Sequence, residues 1–145
     1  MSERALLGDL INPETLVIMS PDAMVPEASR KMMEHRFGLV VVQDGDNVVG
    51  VVTERDINFR VIAQGLDPEK TRLRDIMSNK PFMISPDTDV FDALRQVVSK
   101  YFRYAVIGSD GRAVGVVAVN TIFAEVTKSL GNDIGDIDRF ILGDP

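Results

Sequence analysis

Thr53 and Asp56 are the residues of this chain whose types and spacing suit chemistry. They close the run Gly50-Val51-Val52-Thr53-Glu54-Arg55-Asp56. Val48 to Val52 has strand character and stops at Thr53; a helical pattern follows, with Ile57, Val61 and Ile62 as its apolar positions. Backbone N–H groups at such a strand-to-helix corner lack partners within the helix, and the helix dipole adds partial positive charge, so the corner suits an anion. A carboxylate three residues on can accept hydrogen bonds from sugar hydroxyls. A phosphate site with a hydroxyl-reading carboxylate beside it points to a nucleotide. The same spacing is close to a capping box, in which Thr caps the helix and the acid reaches back to it. The pair therefore also has a purely architectural reading.

Composition narrows the chemistry further. The 145 residues are 45% hydrophobic and 26% charged, with no apolar run of membrane-spanning length and no apolar signal core, so a cytoplasmic protein with no membrane partner is expected. Cys is absent, which removes thiolate nucleophiles and thiolate metal sites, and His35 is the only histidine, which leaves little for a triad or a multi-His metal centre. No nucleophile–base pair stands at diagnostic spacing, so no enzyme activity and no catalytic residue is expected. The net charge of −6 argues against broad binding to nucleic acid.

The elements that must position the corner occur twice. Residues 1–11 form a lead-in, with Leu6, Leu7 and Leu10 as a brief amphipathic helix. In the first unit, 12–66, Leu16 to Met19 reads as a strand and Ser20-Pro21-Asp22 as a turn. Val25, Ala28, Met32 and Met33 form one helical stripe, and Gly38 is the expected helix stop. Leu39–Val42 and Val48–Val52 flank Asp44-Gly45 as a hairpin, and the second helix runs to about Gln64 before Gly65. A polar connector, 67–74, leads to a second unit, 75–130. There Phe82–Ile84, the stripe Val90 to Val98, the hairpin around Asp110-Gly111 and the helix Val119–Leu130 repeat the order. Pro21 and Pro86, Phe37 and Phe102, Gly50 and Gly115 are each 65 residues apart, and no gap is needed from Val17 to Ile57. Each unit reads β-α-β-β-α, an α/β (α+β) pattern too small to bury a core alone, so the two should pack together. The acidic tail, 131–145, carries an apolar patch at Ile137, Phe140, Ile141 and Leu142.

The pattern resembles the CBS domain family, in which two βαββα repeats pair about a pseudo-twofold axis as a Bateman module. Leu7-Gly8-Asp9-Leu10-Ile11 and Leu73-Arg74-Asp75-Ile76-Met77-Ser78 resemble the lead segment before each repeat. Ser20-Pro21-Asp22 and Ser85-Pro86-Asp87 resemble the strand-to-helix turn, and Gly50 to Asp56 resembles the ligand signature. The resemblance implies a stand-alone regulatory module that is not itself an enzyme. Its ligand would be AMP, ADP, ATP, S-adenosylmethionine or an NAD-type molecule, it would modulate an unidentified partner protein, and it would pair as a homodimer. It implies that Thr53 serves phosphate and Asp56 reads ribose. It also implies a base slot between the first strand of the repeat and the start of the second: Val17, Ile18 and Met19 with Phe37, Gly38 and Leu39.

Arg36, Arg55 and Arg103 are the phosphate candidates, since Arg binds phosphate in bidentate fashion. Tyr104 is a candidate to stack on a base or to pack between repeats. The second repeat departs from the signature, with Ala118 at the counterpart of Thr53 and Thr121 at that of Asp56. One dominant site is therefore expected, with Asn120 as a substitute cap in the second repeat. The competing reading is a structural dimer with degenerate ligand sites.

Overall fold

The computed structural model describes residues 4–79, 81–100 and 102–131. The tail patch expected at Ile137 to Leu142 lies outside them. The first repeat runs β1 (Ile18–Met19), α1 (Val25–His35), β2 (Leu39–Asp44), β3 (Asn47–Thr53) and α2 (Glu54–Ile57), which continues as a π-helical turn, Asn58–Ile62. Then come α3 (Leu73–Ile76) and β4 (Ser78–Asn79). The second repeat runs β5 (Met83–Ile84), α4 (Val90–Ser99), β6 (Tyr104–Ser109), β7 (Arg112–Ala118) and α5 (Val119–Leu130). One sheet has the order β1-β2-β3-β4 and the other β5-β6-β7.

The offset of 65 holds at the level of hydrogen-bonded pairing. Ile18 lies beside Val41 as Met83 lies beside Val106, and Leu39 faces Thr53 as Tyr104 faces Ala118. Even the register shift recurs, at Val42/Gln43 and at Ile107/Gly108. The run Leu39 to Val42 is wholly buried because both faces of the sheet are covered. Val40, Val42 and Val52 pack with Val25, Ala28 and Met32 of α1. Leu39 and Val41 pack against Val106 and Val116 of the other sheet. The layers are thus helices, sheet, sheet, helices. No helix of the described residues is long and apolar enough to cross a membrane.

The lead segments are exchanged between the repeats. Leu7 is buried in the second core, beside Ile84, Val90 and Ile122, and its N–H donates to the Thr88 carbonyl at 2.7 Å. Leu73 and Ile76 are buried in the first core, and the Leu73 N–H donates to the Ala23 carbonyl at 2.9 Å. Helix α3 therefore straddles the boundary expected between residues 74 and 75 and fills the core of the repeat before it.

Local details differ from the sequence reading at three points. Helix α1 ends at His35 because Arg36, not Gly38, takes the left-handed conformation (φ 50°) and caps it. The first hairpin turns on Gly45 and Asp46, one residue later than expected, whereas the second turns on Asp110 and Gly111. Asn120 caps nothing: Ala118 occupies the N-cap of α5 with no side-chain hydrogen bond.

Asp22 ties α3 to the first repeat through ion pairs with Arg72 and Arg74, all three side chains being exposed. The hydrogen bond from Arg74 holds the Asp22 carboxyl below its ordinary value of 3.8. A carboxylate with a depressed pKa stabilises the fold above its unfolded value, and this is lost as pH falls through the folded value. Asp22→Asn should therefore melt below the parent at neutral pH. The gap should close well below pH 3.8 and shrink with added salt. Melting curves across pH check this, and a gap that persists in strong acid would assign the effect to something other than the ion pairs.

Candidate functional site

A cleft of about 330 Å³ opens on the corner after β3, within the volume range of small-molecule sites. Thr53, Glu54, Arg55 and Asp56 form its polar floor. Leu39 and Val51 come from the first sheet, and Ser78 and Asn79 of β4 stand beside them. The opposite, largely apolar wall belongs to the second repeat: Pro81, Phe82, Phe102, Arg103, Tyr104 and Val106. The cleft thus brings Thr53, Arg55, Asp56, Leu39, Arg103 and Tyr104 together.

It does not bring in Ile18, Met19, Arg36 or Gly38. Ile18 and Met19 lie on β1, at the sheet edge opposite β4. Arg36 and Gly38 line a separate groove of about 470 Å³ beside α1, which shares Glu54 and Tyr104 with the cleft. Of the expected base-slot residues only Leu39 lines this cleft; Phe82, Phe102 and Tyr104, the counterparts of Val17, Phe37 and Leu39, line it from the second repeat. The two sheets pack face to face, and the Thr53–Asp56 corner meets the second repeat. Ser78, Asn79, Pro81 and Phe82 were missed by the sequence reading. The offset of 65 would have found Phe82 and Phe102 once this packing was known.

Thr53 and Asp56 do form a capping box. The Thr53 N–H donates to Asp56 Oδ2 at 2.9 Å, and the Asp56 N–H donates to Thr53 Oγ1 at 3.2 Å. Asp56 is 8% exposed, yet it lines the cleft. Only one of its oxygens is used by the cap. The counterpart corner closes without such a pair. Val119 donates to the Arg103 carbonyl at 2.9 Å, as Glu54 donates to the Gly38 carbonyl at 3.0 Å.

Arg55 lies over the ring of Phe59 at 5.8 Å, and Arg103 forms no ion pair among the described residues. Both residues line the cleft, as do Glu54 and Asp56. Tyr104 packs its ring 4.9 Å from that of Phe37, with its hydroxyl 3.5 Å from Glu54 Oε1. Burial, reinforced by the Glu54 carboxylate, pushes the Tyr104 phenol above its ordinary value, so it stays a neutral hydrogen-bond donor. Gly38 leaves room for this pair, since a Cβ there would stand 2.6 Å from the Tyr104 hydroxyl and 2.7 Å from Glu54 Cδ, and the two side-chain ends would have to shift. Among the described residues no group of three or more His, Asp or Glu is placed to hold a metal ion. His35 meets the Glu14 carbonyl through Nδ1 at 2.8 Å and lies away from the cleft.

The paired sheets, the exact repeat register and the inter-repeat cleft define a tandem βαββα fold, and comparison with known proteins agrees. The CBS domain model matches residues 7–62 and 73–128, so the chain belongs to the CBS domain family. A protein of Methanopyrus kandleri is 33% identical over 105 residues, 71% of this chain and 54% of its own length, so the chain spans about half of that relative. A protein structure from Pyrococcus horikoshii superposes with a TM-score of 0.76 at 29% identity, over 87% of this chain and 95% of its own. The CBS domain protein PAE2072 from Pyrobaculum aerophilum, solved in complex with AMP, superposes with a TM-score of 0.73 at 25% identity, over 85% and 98%.

Proposed function

We propose that the chain is a non-catalytic, cytoplasmic regulatory module that binds one adenosyl ligand in the inter-repeat cleft and modulates a partner protein. The observation that carries this reading is the cleft itself, which joins the phosphate-and-ribose corner of one repeat to the aromatic wall of the other. In it Thr53 and Arg55 serve phosphate, with Arg103 facing them. Asp56 accepts the ribose hydroxyls, and the base lies among Phe82, Phe102 and Tyr104. The AMP complex of the Pyrobaculum relative supports AMP as the first ligand to test. A thermal-shift panel of AMP, ADP, ATP, S-adenosylmethionine and NADH tests it, because a ligand that prefers the folded state raises its melting temperature. No shift with any of them at millimolar concentration would end this reading.

The completed capping box favours a second reading, a structural dimer whose corner is only a helix start. Both readings share the assembly. Phe59 (55% exposed), Ile62 and Phe123 present apolar side chains on the helices after β3 and β7, with Met33 (71% exposed) beside them on α1. A homodimer through these helices is expected, because a closed pair buries such a face on itself. Light scattering at micromolar concentration should give twice the chain mass, and Phe59→Glu with Ile62→Glu should halve it. A parent of monomer mass would refute the pairing.

A further inference from the structure

The Asp56 carboxylate is held from behind. Its Oδ1 lies 3.6 Å from Nε of Arg60, one helical turn on. The other arm of the same guanidinium, Nη1, donates to the carbonyls of Ile76 at 3.0 Å and Met77 at 3.3 Å. Those carbonyls end α3 and run directly into Ser78 and Asn79, which border the cleft. Arg60 itself does not line the cleft. It connects the acidic floor to the neighbouring polar wall.

Three details assign this bridge to the cleft rather than to the fold. The second repeat replaces the whole set together, with Ala118, Thr121 and Glu125 at the counterparts of Thr53, Asp56 and Arg60. Its corner nevertheless closes through the same backbone hydrogen bond. Arg60 also sits in the π-helical turn Asn58–Ile62, whereas its counterpart lies in the regular helix α5. Such turns are rare and occur frequently at functional sites. Finally, 3.6 Å is an ion-pair distance and too long for a hydrogen bond, so Arg60 orients Oδ1 without occupying its lone pairs.

We infer that Arg60 is a positioning residue for ribose recognition: it aims Asp56 Oδ1 at the sugar hydroxyls and pins the strand that carries Ser78 and Asn79. The inference rests on the adenosyl reading of the cleft. It makes the preference for a ribose over a sugar without hydroxyls depend on a residue that the ligand does not touch. A planar guanidinium can serve a carboxylate on one edge and carbonyls on the other; an ammonium is a point charge and cannot span both.

The test titrates AMP and 2′,3′-dideoxyadenosine monophosphate by calorimetry into the parent, Arg60→Met and Arg60→Lys, each with its melting curve. The parent should prefer AMP. Arg60→Met should weaken AMP by about tenfold and the dideoxy analogue far less, so that the preference collapses. Arg60→Lys should retain part of the preference. If Arg60→Met does not fold, the ratio for Arg60→Lys decides. A variant that melts lower yet keeps the parental ratio of the two affinities would make Arg60 a structural tie only and overturn the inference. A parent that binds neither nucleotide would fail at the adenosyl reading itself, and the role of Arg60 would fall with it.

Discussion

Asp56→Ala is expected to weaken AMP by roughly ten- to a hundredfold. A carboxylate that accepts sugar hydroxyls makes charge-assisted hydrogen bonds worth on the order of 1.5–3 kcal/mol each, and about 1.4 kcal/mol is a factor of ten in affinity. The structure adds a second effect, because Asp56 Oδ2 also caps Thr53. The same substitution should lower stability by about 0.5–2 kcal/mol. Asp56→Asn separates the two effects. Its amide oxygen can still accept the Thr53 N–H, so stability should stay near the parent while affinity falls. Thr53→Val should weaken phosphorylated ligands more than adenosine, since it removes a hydroxyl while keeping the shape. If Asp56→Asn and Thr53→Val bind AMP, ADP and ATP as the parent does, the corner is a helix cap alone. Titrations read beside melting curves decide.

Leu73→Ala is expected to cost about 2–5 kcal/mol, a large share of the roughly 5–15 kcal/mol that holds a domain together. Leu73 is fully buried, and its neighbours are Val25, Val40, Val52 and Val61, so the cavity opens in the first core although the residue lies at the end of the connector. Leu7→Ala should cost a similar amount in the second core, beside Val90 and Ile122. The informative readout is amide exchange: Leu73→Ala should speed it first in β2, and Leu7→Ala first in β6. The opposite assignment would refute the exchange of lead segments. Because both sheets share the layer built from Leu39, Val41, Val106 and Val116, each variant should still melt in one transition.

The repeat was legible because its signals are local. Apolar period, Gly-containing turns and the Ser-Pro-Asp steps stood in one register, and the strand pairings keep that register pair for pair. The helix stop was misplaced because a C-terminal Gly is only the commonest left-handed cap; Arg36 accepts φ 50°, and Gly38 is freed for the close approach of Tyr104 and Glu54. The second repeat's share of the cleft was not legible for a different reason. Which repeat's strand faces Thr53 and Asp56 is decided by how two sheets stack, and no local pattern in Val17–Met19 or Phe82–Ile84 encodes it. Strand β4 has only two residues and follows a four-residue helix, too short for any periodicity to register. Arg60 carried no signal in the sequence for the same reason. Its acceptors are carbonyls of Ile76 and Met77, and a carbonyl has no signature in sequence.

The exchange of lead segments also constrains how such a chain can be inherited. Two copies that each buried their own lead could drift apart, be shuffled singly or lose one member. Here residues 73–76 complete the hydrophobic interior of the preceding copy, and Leu7 completes that of the following one. A recombination event at the connector would deliver each half with its neighbour's plug and without its own. Chimaeras between relatives should therefore be more stable when the crossover falls after Ile76 rather than before Leu73, since the later junction keeps residues 73–76 with the copy they fill, whereas Leu7 is parted from its copy by either.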